Sequence, residues 1–114
     1  MTRLAGGNKF HAQRTWSTLV GRWFDSKAEA VYGEGLFLMQ KAGEINQLEF
    51  QHKFVLCEKP KVTITIDFRY VNHSDEGTHY WTYEDVKGVM TRDFRTKLAW
   101  LKEKHGIDVK IIQA

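Results

Sequence analysis

The sequence predicts an α/β domain, a small mixed central sheet flanked by helices, preceded by a hairpin. Three observations predict it. Residues 61–71 alternate strictly, Val62, Ile64, Ile66 and Phe68 against Thr63, Thr65, Asp67 and Arg69, which is the period of a half-buried strand. Two other stretches repeat apolar residues at helical spacing behind capping residues. Two further strand-like stretches and a short last one fill the gaps, giving the order hairpin, α, β, β, β, α, β.

Taken in order, residues 1–13 carry Gly6-Gly7-Asn8 and little apolar period, which reads as a flexible basic arm ahead of a domain over 14–114. Residues 15–24 are aromatic and β-branched around Gly21, the pattern of a small hairpin turning near Val20-Gly21. Asp25-Ser26 offers a helix cap, and Ser26 to Glu29 has capping-box spacing. Ala28, Val31, Tyr32, Leu36 and Met39 then predict a helix over 26–41, stopped at Gly43. Gly33 and Gly35 weaken that helix and suit close packing against a sheet. Strands are expected over 45–56, 61–71 and 79–87, the first two joined by a turn at 58–61. Thr91 caps a second helix over 92–104, apolar along Phe94, Leu98 and Leu101 and basic around Arg92, Arg95, Lys102 and Lys104. His105-Gly106 ends it, and a last strand is expected over 107–112.

At 114 residues there is room for one core, and 42% apolar content with 13% aromatic argues against global disorder. A single cysteine, Cys57, has no partner for an internal disulfide or a paired-cysteine zinc site. No apolar run approaches the roughly 18 residues of a membrane span and no signal peptide opens the chain, so a cytoplasmic protein without a membrane partner is expected. The five histidines show no metal spacing, and Gly33-Glu34-Gly35 lacks the context of a phosphate loop or of any small organic cofactor site. The net charge of +3 is uneven. Residues 1–24 hold Arg3, Lys9, Arg14 and Arg22 and no acid, leaving 13 bases against 14 acids in the rest. Such a front end points to a polyanionic partner, either nucleic acid or a membrane surface, or to a solvated tail. Trp16 and Trp23 in the basic hairpin are placed to stack on bases, or to serve as structural aromatics.

The chemistry-bearing residues cluster late in the predicted strands. Asp67 interrupts an apolar-and-Thr strand, where Asp is depleted. Asp85 and Lys87 are two apart on the next strand and so project to one face, away from Glu84 and Val86. If those strands pair, the two carboxylates approach, and a divalent cation such as Mg²⁺ offsets their repulsion, with Lys87 beside it to orient or activate water. Glu29, one turn into the first helix, either reaches this point or serves as the N3 residue of a capping box.

At these residues the sequence resembles a known group. The order αβββαβ with Glu29, Asp67 and Asp85-Val86-Lys87 is similar to the PD-(D/E)xK nuclease superfamily, whose fold is termed restriction-endonuclease-like. Phe24 to Ala30, Gly43-Glu44-Ile45, Leu48 to Gln51 and Glu84 to Gly88 resemble a family of small phage and prophage endonuclease-like proteins assigned to that superfamily. Ile66 stands where the superfamily's name has Pro, a position where that Pro is often absent.

The resemblance implies that Asp67 and Asp85 bind Mg²⁺, or Mn²⁺ in its place, with the Val86 carbonyl. Glu29 supports the metal, and Lys87 positions the attacking water. Gln51 either touches phosphate near the site or is an ordinary surface amide. Arg92 and Lys97 are expected DNA-backbone contacts, as are Arg14, Arg22 and Lys27 at the basic front end. The implied activity is Mg²⁺-dependent DNA endonuclease, acting as a homodimer on branched, Holliday-junction-like DNA in recombination, within the host cytoplasm. The alternative is a catalytically inactive nucleic-acid-binding or host-interaction protein on the same fold.

Overall fold

The computed structural model describes residues 13–114, so the expected arm lies outside the described residues except for Gln13. A two-stranded antiparallel hairpin comes first, β1 (Thr15–Ser17) and β2 (Arg22–Phe24), with Trp16 opposite Trp23. Gly21 takes φ +79° and donates its N–H to the Ser17 carbonyl at 2.7 Å, closing the turn where the sequence places it. Helix α1 (Lys27–Lys41) begins at Ser26, whose Oγ accepts the Glu29 N–H at 3.0 Å. Three strands follow, β3 (Ile45–Cys57), β4 (Val62–His73) and β5 (His79–Lys87), then α2 (Arg92–His105) and β6 (Val109–Gln113). They form a mixed four-stranded sheet of order β3-β4-β5-β6. β3, β4 and β5 run antiparallel through short turns, whereas β6 returns parallel to β5 by the α2 crossover. The last strand starts two residues later than expected, because Ile107 is spent on the core before pairing begins.

Two cores hold the layers together. Under α1 and the hairpin lie Phe24, Ala30, Leu36, Ile45, Phe68 and Tyr70. Under α2 lie Leu56, Ile64, Ile66 and Leu101, flanked by Phe94 and Leu98 as the helical spacing predicts. Strand β4 threads both, which is why its apolar alternation is so regular.

The α1 stripe differs from expectation. Glu29, Ala30, Gly33 and Leu36 are buried, while Ala28, Val31 and Met39 face solvent. The helix is rotated because Gly33 offers the closest approach to the aromatic core. A Cβ there would sit 2.8 Å from the Phe24 ring and 3.0 Å from Phe68. Gly35 has open space around it and makes no such approach. This rotation turns Glu29 inward. No helix among the described residues is long and apolar enough to cross a membrane.

Candidate functional site

The site forms where the sheet's middle pair parts. β4 and β5 keep register up to Phe68 opposite Glu84, while β5 pairs with β6 on its other side from Tyr83 to Lys87. At the parting point two aspartates replace the ladder. Asp85 Oδ1 accepts the Asp67 N–H at 2.8 Å, and Asp67 Oδ2 accepts the Val86 N–H at 2.9 Å. Each carboxylate satisfies a backbone donor of the other strand, and so two acids stand in strands that otherwise disfavour them. Asp67 is 8% exposed and Asp85 1%.

Gln51 completes the cluster. Its side-chain amide donates to Asp67 Oδ1 at 3.1 Å and to Glu29 Oε2 at 3.0 Å, linking β3, β4 and α1. Its backbone takes φ +56°, a left-handed conformation that a non-Gly residue adopts at a cost, and such strain gathers at functional sites. Gln51 therefore belongs to the acidic cluster through its amide and is not a free surface amide. Glu29 resolves similarly. Its N–H caps against Ser26 while its buried carboxylate faces the sheet, so capping and site membership use different atoms.

Burial dominates the electrostatics. It pushes the Glu29 carboxyl up to about 8, with Asp67, Asp25 and Asp85 adding repulsion and Arg22 opposing. Asp67 is raised to about 7, by burial first and then by Asp85. Asp85 is raised by burial against the pull of Lys87. Lys87 Nζ lies 3.2 Å from Asp85 Oδ2 and 4.2 Å from the centre of the Phe94 ring, held between an anion and a π face. The ion pair is not aligned as a hydrogen bond, which leaves Asp85 Oδ2 buried without a hydrogen-bond donor.

That orphaned oxygen, together with carboxylates held above their ordinary range, marks a place short of positive charge. Hard oxygen donors of this kind fit Mg²⁺ or Mn²⁺. Among the described residues no three His, Cys, Asp or Glu side chains stand in ready ligand geometry. The Gln51 amide stands between Glu29 and Asp67.

The sequence pattern of one family matches residues 8–112, a family described as protein of unknown function (DUF1064). The chain belongs to that family. No curated protein and no solved structure matches it.

In this DUF1064 chain the remaining predicted contacts are scattered. Arg22 is near the cluster, its guanidinium 4.7 Å from the Phe50 ring and 5.2 Å from Phe24. Arg14 covers Trp23 at 5.0 Å. Lys27 lines an apolar groove with Val31, Val86 and Ile112 that does not include the acids. Arg92 is exposed at the start of α2, and Lys97 is paired with Asp93 at 3.3 Å one turn away. The basic face of α2 is partly spent within the protein. Lys102 pairs with Asp108 at 2.8 Å, and Lys104 donates to the Leu56 carbonyl at 2.9 Å.

Sequence reasoning missed Glu84. It is 2% exposed and accepts hydrogen bonds from Tyr32 and Tyr70, each at 2.8 Å, which tie α1 to β4 and β5. Strand alternation sent Glu84 away from Asp85 correctly. The two hydroxyls waiting there had no signal in spacing alone.

Proposed function

We propose that this protein is a Mg²⁺-dependent DNA endonuclease on a restriction-endonuclease-like fold, hydrolysing phosphodiester bonds. The observation that carries the reading is the crossed pair Asp67–Asp85 with Lys87 Nζ 3.2 Å from Asp85. Asp67 and Asp85 would hold the cation with the Val86 carbonyl, and Glu29 would support it. A cation held by these residues would offset their negative charge and would make a neighbouring water more acidic.

The chain's own groups do the rest. Lys87 pairs with Asp85 from a half-buried position over the Phe94 ring, where its ammonium would orient a water or a phosphate oxygen. Gln51 steers the Glu29 and Asp67 oxygens through one amide. Arg22 offers a cation at the cluster's hairpin side. Branched DNA as substrate and a homodimer as the working unit follow from fold analogy with junction resolvases.

The test is a panel of duplex, single-strand, four-way-junction DNA and RNA with Mg²⁺ and with Mn²⁺. Cleavage of at least one DNA is expected. Lys87→Ala should lower its rate by about a hundredfold or more while binding persists. Absence of cleavage throughout the panel would sink the enzyme reading. One observation favours the alternative of an inactive binding protein, namely that the Gln51 amide already satisfies two of the acids. In that case DNA binding would occur with no Mg²⁺-dependent product.

A further inference from the structure

Trp16 and Trp23 face each other across the hairpin on its outward side. Their ring centroids are 5.5 Å apart, edge to face, and the residues remain 49% and 48% exposed. The alternate residues are buried: Phe24 enters the core, and Ser17 donates to Glu34 at 2.6 Å. Strand period thus turns one side of the hairpin inward and leaves both indoles out. Cross-strand packing accounts for the facing halves of the rings. The other halves stay in water, and clustered exposed aromatics mark binding surfaces.

One cation lies at the platform, Arg14, while Arg22 lies over the inward Phe24 and Phe50 rings. Residues 13–24 hold Arg14 and Arg22 and no acid, and the Arg14 guanidinium lies over Trp23. The inward side of the hairpin adjoins the strands that carry the acidic cluster. Phe24, next to Trp23, packs 5.6 Å from Phe50 and 6.4 Å from Phe68, the chain neighbours of Gln51 and Asp67.

We propose that Trp16 and Trp23 form a stacking platform for unpaired nucleobases, so that the favoured DNA carries a single-stranded or unstacked stretch. The placement beside a cleavage site rests on the nuclease reading, whereas stacking itself does not. Every base has a π face, so such a platform reads strandedness rather than sequence, and Arg14 is placed to meet the accompanying phosphate.

The test uses the full chain in EDTA, with fluorescence anisotropy on an oligothymidylate strand, a gapped duplex and an intact duplex. Wild type should bind the first two about tenfold or more tightly than the third. Trp16→Val with Trp23→Thr should abolish that preference, and Trp16→Phe with Trp23→Phe should restore most of it. A second measurement avoids dependence on the double variant's folding. In a chain carrying Trp81→Phe and Trp100→Phe, only Trp16 and Trp23 remain, and oligothymidylate should quench their fluorescence saturably. Absent quenching, or a preference that survives the Val/Thr change, overturns the proposal. So does quenching by vesicles of phosphatidylserine and phosphatidylcholine without any by DNA. Adding Mg²⁺ to the gapped duplex separates the two readings. Stacking without cleavage removes the nuclease and keeps the platform, while cleavage indifferent to both indoles does the reverse.

Discussion

Glu29 shows how one residue can satisfy two demands that its spacing in the sequence sets side by side. Its N–H belongs to the helix start and its carboxylate to the cluster, a division no spacing argument could supply. Its titration gives a prediction. The folded value of about 8 lies above the ordinary 4.5, so the folded chain retains a proton that the unfolded chain has released. The associated stability is full below about pH 4.5 and is lost as pH rises through about 8, and Asp67 acts in the same direction. Metal-free protein should therefore melt at progressively lower temperature from pH 5 to pH 9. Glu29→Gln should flatten that profile and melt above wild type at pH 9. A wild-type profile that rises with pH in EDTA would contradict this sign. Asp67 and the Asp85-x-Lys87 pair were legible because their residue types are rare or paired on strands. Gln51 was only half legible, since its role depends on a left-handed backbone that nothing in its neighbours announces.

Element positions were the most readable part, because caps and alternation act locally. Ser26, Gly43, Thr91 and Gly106 bound the helices as their chemistry requires. What failed was the rotation of α1. Ala28, Val31 and Met39 looked like its inner stripe, but helix amphipathicity cannot weigh a single close approach at Gly33 against three aliphatic side chains. The two glycines should therefore respond oppositely to a methyl group. Gly35→Ala meets open space and should stabilise by up to about 1 kcal/mol through helix propensity. Gly33→Ala pushes a Cβ into the Phe24 and Phe68 rings and should destabilise by about 1–3 kcal/mol. Urea melts of both variants measure this, and equal responses would show that α1 is not seated on that aromatic contact.

At the scale of the molecule, charge is the readable property, and its division survives in altered form. Cations of α2 that looked free are partly used within the chain, Lys97 and Lys102 in ion pairs and Lys104 on a carbonyl. Removing residues 1–13 takes away Arg3 and Lys9. DNA affinity should fall, and the slope of log affinity against log salt should flatten by up to about two. An unchanged slope would make the segment a bystander. The parallel pairing of β6 with β5 is the part of the expected mixed sheet that the helical crossover dictates, since a strand, a helix and a second strand of one sheet run in the same direction. The crossed aspartates carry one more consequence. Because each holds a backbone donor of the other's strand, they serve as stitching for the sheet whether or not any bond is ever cut. A descendant that lost all chemistry would still be under pressure to keep both acids. Lys87 holds no backbone group, so across relatives its retention or loss would test the proposed catalysis more sharply than that of the two acids.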